Sequence, residues 1–361
     1  MKALVAINPR YKNSLEFKKM ETVKFGSTNV LFGLVELNQP DFDINNLQND
    51  DYILIKVKYF SCNYRDKSIL LEAYTSEKNE NRLFFPFGSE FSAEIIKIGK
   101  NVNNFNVRDF VMPNCEYPHG VKPGIPSNFA SLGWLKIHKS KVIKIPARLS
   151  LEEAACFSLG SQTASSMIRR SNILKESGNP VVFSARSATS MFIIRQLLIQ
   201  GITPICISTT SWTDFEKEYI YPCEVERLED VSLQAMKRNI THVFDPFFDL
   251  NVENAVNLLQ IGGTYITCGL LNQHPLLSEK IPIENEPILR RALSMGVMKN
   301  ITFIGNCLGT YEDLQNAISL EERFSVKPVI DKSYNVNQYL DFIDRSFFNA
   351  NKIGKVSLTY H

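Results

Sequence analysis

Val181-Val182-Phe183-Ser184, a helical run from Met191 to Gln200, and Pro204-Ile205-Cys206-Ile207-Ser208 form the stretch that decides the fold. Its two outer segments are short and apolar, as strands buried on both faces are. Gly178-Asn179-Pro180 introduces the first strand, and Gly201 ends the helix. Further strands are expected at 242–245, 264–268 and 301–304, with a helix carrying Ala255, Leu258 and Leu259 among them. Strand–helix alternation of this kind indicates a parallel, doubly wound sheet.

Upstream the texture is different. Tyr52 to Phe60 is a β-rich run, Ala93 to Ile98 repeats it and stops at Gly99, and Trp134 to His138 and Lys141 to Pro146 supply two more strands. Residues 114–128, rich in Pro and Gly, read as a surface loop. Met1 to Ile7 is too short for a signal peptide and suits a first strand closed by Asn8-Pro9-Arg10. The change comes near residue 149, where Ser150 and Glu153 form a capping box at a helix start.

Composition narrows the function classes. With 361 residues, 44% of them hydrophobic, the chain can build two ordinary cores and is not intrinsically disordered. Lys plus Arg number 40 against 38 Asp plus Glu, so no global field points to nucleic acid or an anionic membrane. No run approaches the roughly 18 apolar residues of a membrane span. The seven cysteines are odd in number and never form Cys-x-x-Cys, which fits a reducing cytoplasm better than a disulfide scaffold.

Six ordered segments resemble the medium-chain dehydrogenase/reductase superfamily in its quinone-reductase-like branch. They are Asn63-Tyr64-Arg65-Asp66; Pro86 to Ile95; Gly99 to Val111, with Arg108 where the family has Gly; Leu149 to Thr163; Gly262-Gly263-Thr264; and Gly354-Lys355-Val356. The resemblance implies an α/β protein, a mostly-β GroES-like catalytic domain plus a Rossmann doubly wound parallel-sheet domain. The corresponding divisions are 1–150, 151–308, and a segment 309–361 that returns to the catalytic domain. It also implies a homodimer, paired along the edge strand Ile301 to Ile304.

Departures from the family pattern carry chemistry. Asn63 occupies the first zinc-ligand place, Ser89 the histidine place and Leu159 the third. An amide, a hydroxyl and an apolar group do not make a tetrahedral zinc site, so no metal is expected. Cys62 beside them reads as a buried thiol. The glycine-rich phosphate loop falls at 186–191, which here reads Arg186-Ser187-Ala188-Thr189-Ser190-Met191. In one reading Ser187, Thr189 and Ser190 hydroxyls hold phosphate at the helix N-terminus, with Ala188 a mild replacement and Arg186 adding charge. In the other the site has lost its dinucleotide and the protein is a silent binding scaffold. Retained binding is favoured because the rest of the cofactor frame persists. The second strand ends Ser208-Thr209-Thr210 without an acid, which suits the 2′-phosphate of NADPH, with Arg186 or Lys217 as the cation.

Without a Lewis acid, reduction of an activated carbon–carbon double bond is better served than alcohol oxidation. Asn63 and Tyr64 are the expected donors beside the nicotinamide, with Tyr117 and His119 as further proton sources. The family frame carries Thr163 over to the nicotinamide end, Asp245, Cys268, Gly269, Leu270 and Asn306 to the cofactor cleft, and Lys355 to the phosphates. Asp66 and Glu90 read as structural partners. Met1 to Asn13 and Pro126 to Pro146 are similar to the reductases of lanthipeptide biosynthesis. That likeness implies dehydroalanine in a precursor peptide, reduced to D-alanine, as the substrate; the alternative is a small quinone, enone or enoyl compound.

Overall fold

The computed structural model describes residues 1–14, 16–117, 128–176, 178–228, 239–269, 286–349 and 351–360. Among these, three sheets organise the chain. β1 (Lys2–Ile7), β2 (Lys18–Phe25), β3 (Thr28–Glu36) and β5 (Phe84–Phe85) form a four-stranded sheet in the order β2-β3-β1-β5. β4 (Tyr52–Ser61) is the centre of the second sheet. It pairs antiparallel with β6 (Glu90–Ile98), with β8 (Trp134–His138) and with β17 (Lys355–Thr359). β7 (Phe110–Pro113) and β9 (Val142–Lys144) extend it on one side, and β16 (Ile330–Asn335) lies beyond β17 on the other. The β-rich run of β4 places Ile53, Ile55 and Val57 in one aromatic-rich core with Phe60, Phe87 and Phe342.

The third sheet is parallel throughout, in the order β12-β11-β10-β13-β14-β15. Its strands are β10 (Pro180–Val182), β11 (Ile205–Ser208), β12 (Val225–Arg227), β13 (Ile240–Asp245), β14 (Leu259–Thr267) and β15 (Thr302–Gly305). The strand order reverses between β10 and β13, and in such sheets ligands bind at the carboxyl ends of the strands flanking that switch. The helix Ala188–Ile199 follows β10 and packs through Met191, Ile194 and Leu197 into the same core as Val182 and Cys206. Met191, at the place of the family's last loop glycine, is therefore accommodated by the core. At the far edge, β15 exposes Phe303, while Ile261 and the helix Glu286–Met298, through Val297 and Met298, add further apolar surface.

Ser150 and Glu153 do form the expected capping box, although the helix it starts spans only Leu151–Ala154 before Ser158–Ser171 resumes. Arg108 adopts φ +76°, a left-handed conformation that glycine takes without steric cost. Left-handed backbone costs a side-chain-bearing residue roughly 1–2 kcal/mol, and glycine returns part of that through the entropy of its unfolded state. Arg108→Gly is expected to stabilise the chain by about 0.5–1 kcal/mol. A denaturation midpoint that stays put or falls would show that Arg108 is not strained.

Candidate active site

β4 ends at Ser61, and Asn63 then caps the helix Tyr64–Thr75 through a reciprocal arrangement with Asp66, whose Oδ2 accepts the Asn63 amide at 2.7 Å. That cap turns the Asn63 side chain toward β6. Its Nδ2 donates to Glu90 Oε2 at 2.9 Å and to Ser89 Oγ at 3.3 Å, and Ser89 donates to Asp66 at 2.9 Å. From the opposite end of the chain, Lys355 at the start of β17 donates to Asn63 Oδ1 at 2.6 Å and forms a short ion pair with Glu90. Glu90 also accepts the Leu159 amide at 2.8 Å. Glu90 and Lys355 are both buried, and the further bonds from Asn63 and Leu159 to Glu90 and from Lys355 to Asn63 offset the cost of taking the pair out of water. Burial pushes the Asp66 carboxyl up, against the pull of the Arg65 charge. Glu90 holds Lys355 above the usual ammonium range despite its burial.

A cavity of about 140 Å³ opens over this network, lined by Asn63, Tyr64, Thr163, Ala188, Thr189 and Lys355 among others. Cys62, Cys268 and Cys307 also line it. Burial pushes all three thiols up, Cys268 to about 12 with help from the Asp245 charge, so they stay protonated near neutrality. A cleft of about 830 Å³ adjoins it, and the two meet at Tyr64, Ser187, Phe247 and Lys352. The rings of Tyr64 and Phe247 stand edge to face, 5.4 Å apart, across that junction. The cleft runs past Ser184 and Ser187 to Ser208, Thr209 and Thr210 at the end of β11. Among the described residues the linings include Arg65, Lys67, Arg186, Lys352 and Lys355 and no carboxylate. Ser187 caps the helix Ala188–Ile199 by accepting the Ser190 amide, while Ser190 Oγ turns back to the Phe183 carbonyl at 2.8 Å. The N-terminal turn of a twelve-residue helix thus faces a cationic cleft, which is favourable for a bound anion.

The expected site residues separate into groups. Asn63, Tyr64, Thr163, Ser187, Ala188, Thr189, Cys268, Gly269 and Lys355 come together around the small cavity, and Arg186, Ser208, Thr209 and Thr210 around the cleft. Arg186 is committed within the protein: its guanidinium pairs with Glu216, donates to the Asn351 carbonyl and lies over the Trp212 ring. The Glu216 carboxyl is accordingly held down to about 2. Lys217 is exposed and pairs with Asp214, away from both linings. Asp245 sits behind the cleft, accepting from Phe247, Asn251 and Tyr265, and Asn306 is buried on Ser166, Arg170 and Leu308. Tyr117 packs with Leu159 and Leu308 behind the small cavity. His119 and Leu270 lie outside the described residues.

Several cations near the site had no sequence expectation, Lys67 in the cleft lining among them. Lys352 lines both spaces, and Arg227, paired with Ser208 across β11 and β12, donates to Ser211 Oγ at 3.2 Å. Lys352 stands three residues before Lys355, a spacing that was open to view; Arg227 is placed by a strand pairing that no motif announces.

Residues 49–146 match the alcohol dehydrogenase GroES-like domain. The chain is 23% identical to an acryloyl-coenzyme A reductase of Metallosphaera sedula, over 85% of this chain and 92% of that protein. Among solved structures, an NAD-dependent alcohol dehydrogenase superposes with a TM-score of 0.75 at 15% identity, covering 100% of both chains. A 2-octenoyl-CoA carboxylase reductase in complex with NADP and 2-octenoyl-CoA superposes with a TM-score of 0.71 at 15% identity, covering 99% of this chain and 87% of that one.

Proposed function

We propose that the chain, which resembles the medium-chain dehydrogenase/reductase superfamily in its GroES-like segment and in its fold, is an NADPH-dependent, metal-independent reductase of a carbon–carbon double bond conjugated to a carbonyl. The observation that carries this reading is the pairing of a cation-lined, carboxylate-free cleft with a buried ammonium where the family's metal would stand. A dinucleotide would fit the cleft: the helix N-terminus after Ser187 would hold its phosphates, and the hydroxyls of Ser208 to Thr210 its ribose end. Zinc does not fit. Asn63, Ser89 and Leu159 are poor ligands, and Lys355, 2.6 Å from Asn63 Oδ1, would repel a second cation.

Bound NADPH would supply a hydride. The chain's own residues then face charge growing on the carbonyl oxygen of the substrate, and preorganised donors in a partly dry cavity are worth most there. Tyr64 is suited to that role, because burial pushes its phenol up and keeps its proton in place to donate. Asn63 acts differently from the expectation: its amide is spent on Glu90, Ser89 and Lys355, so it holds the Lys355 ammonium at the cavity wall. The protonated thiols spare an electrophilic olefin from conjugate addition, since the thiolate is the nucleophile.

The finer reading is dehydroalanine in a lanthipeptide precursor, which rests on the sequence resemblance of the N-terminal and 126–146 segments. The likeness to an acryloyl-coenzyme A reductase supports the alternative, a small unsaturated thioester or enone. One experiment separates them. NADPH consumption is followed with crotonyl-CoA, a quinone and a dehydroalanine-containing peptide, with chelator present throughout. The peptide is expected to gain two hydrogens by mass, and small acceptors to be poor. Fast thioester reduction with an inert peptide would establish the alternative, and no turnover of any acceptor would remove the reductase reading. The apolar edge at β15 supports a homodimer, so light scattering on the same sample should give twice the 41.1 kDa chain mass. A single-chain mass would contradict it.

A further inference from the structure

Two lysines bracket Gly354 and differ in what holds them. Lys355 is locked on Glu90 and Asn63. Lys352 is half-buried at the junction of cavity and cleft, its Nζ donating to the Ser346 carbonyl and standing 5.0 Å from the centre of the Tyr64 ring. Among the described residues no carboxylate lies within ion-pair distance of it. Asp331, whose charge reaches it, is occupied by Arg345 at 2.6 and 2.7 Å and by the Ile353 amide at 3.2 Å.

Resting on the reductase reading above, we propose that Lys352 is its general acid, giving an Nζ proton to the α-carbon of the substrate. The hydride brings two electrons and forms the β C–H bond as the π bond opens. The enolate carbon then takes the proton as the N–H bond breaks, leaving a neutral amine and NADP⁺. The amine recovers its proton from water through the wider cleft, which its position at the junction permits.

The surroundings suit the task. Burial, with the charges of Lys355 and Arg345, pushes the Lys352 ammonium down to about 8, against the opposing pull of Asp331. An acid near working pH both holds its proton and gives it up readily. Lys67, 5.6 Å from the centre of the Tyr64 ring, is a further cation facing the same space. The alternatives are worse placed: burial strengthens the hold of Tyr64 on its proton, and Glu90 strengthens that of Lys355.

The test uses Lys352→Met and Lys352→Arg with whichever of crotonyl-CoA, quinone and dehydroalanine peptide the wild type reduces fastest. Both variants are expected to lose about 10²-fold in kcat, a usual contribution of a positioned acid. Lys352→Arg keeps the charge, so nicotinamide fluorescence should report nearly unchanged NADPH affinity. The wild-type kcat should fall as pH rises through about 8, where the acid form is lost, and both variants should lack that limb. Full kcat in Lys352→Arg would reduce Lys352 to a fixed charge and overturn the proposal. So would a loss confined to NADPH affinity, or the same pH limb in Lys352→Met. A wild type that reduces none of the acceptors removes the reductase reading, and this inference with it.

Discussion

Lys355→Met should destabilise the chain by about 3–5 kcal/mol, the usual cost of stripping one partner from a buried ion pair. Glu90 would keep the Asn63 and Leu159 donors but lose its only cation among the described residues, deep in the core. The loss comes from the carboxylate left behind, so removing its charge as well should restore most of the stability. The Glu90→Gln/Lys355→Met double variant is therefore expected to denature much closer to wild type than Lys355→Met alone. Chemical denaturation of the four chains measures this coupling directly. A single variant within about 1 kcal/mol of wild type would mean that Glu90 is not held charged by Lys355.

Arg227→Ala should weaken NADPH binding by roughly tenfold to a hundredfold and leave NADH binding almost unchanged, since one hydrogen bond to a charged group is worth about 1.5–3 kcal/mol. Arg227 and Arg186 both reach Ser211, one at its hydroxyl and one at its carbonyl, so two guanidinium groups flank the hydroxyl-rich turn after β11. Arg186 is largely neutralised by Glu216, while Arg227, beside Ser208 in the β11–β12 pairing and bonded to Ser211, is placed to lend charge to a 2′-phosphate. Titration of nicotinamide fluorescence with each cofactor gives the answer. Equal losses for NADPH and NADH would indicate a general disturbance of β12 instead.

The parts of this molecule that sequence reveals are those governed by neighbours in the chain. β4, the strand–helix–strand unit after Pro180 and the capping box at Ser150 each depend on residues a few positions apart. The chemistry of the site depends on partners that are remote. Asn63 reads as a donor to substrate until Lys355, 292 residues away, is seen to occupy its oxygen. Arg186 reads as a phosphate ligand until Glu216 and Trp212 are placed against it. Lys352 has no motif of its own, because its significance comes from lying where two cavities meet. Motif reading therefore identified part of the lining and misassigned some of the bonding.

β17 has a consequence for how the protein comes into being. It is the last strand of the described chain, yet it lies against β4 at the centre of its sheet, and it begins with the ammonium that completes the Asn63–Glu90 network. While the ribosome is still reading the third sheet, Glu90 has no cation, and the Tyr59–Ser61 end of β4, beyond its pairing with β8, has no neighbour on that side. A message broken shortly before codon 355 yields a chain with almost every element and no working centre. The buried carboxylate left without its cation should make such a chain unstable, so loss of the last strand should cost the fold as well as the site.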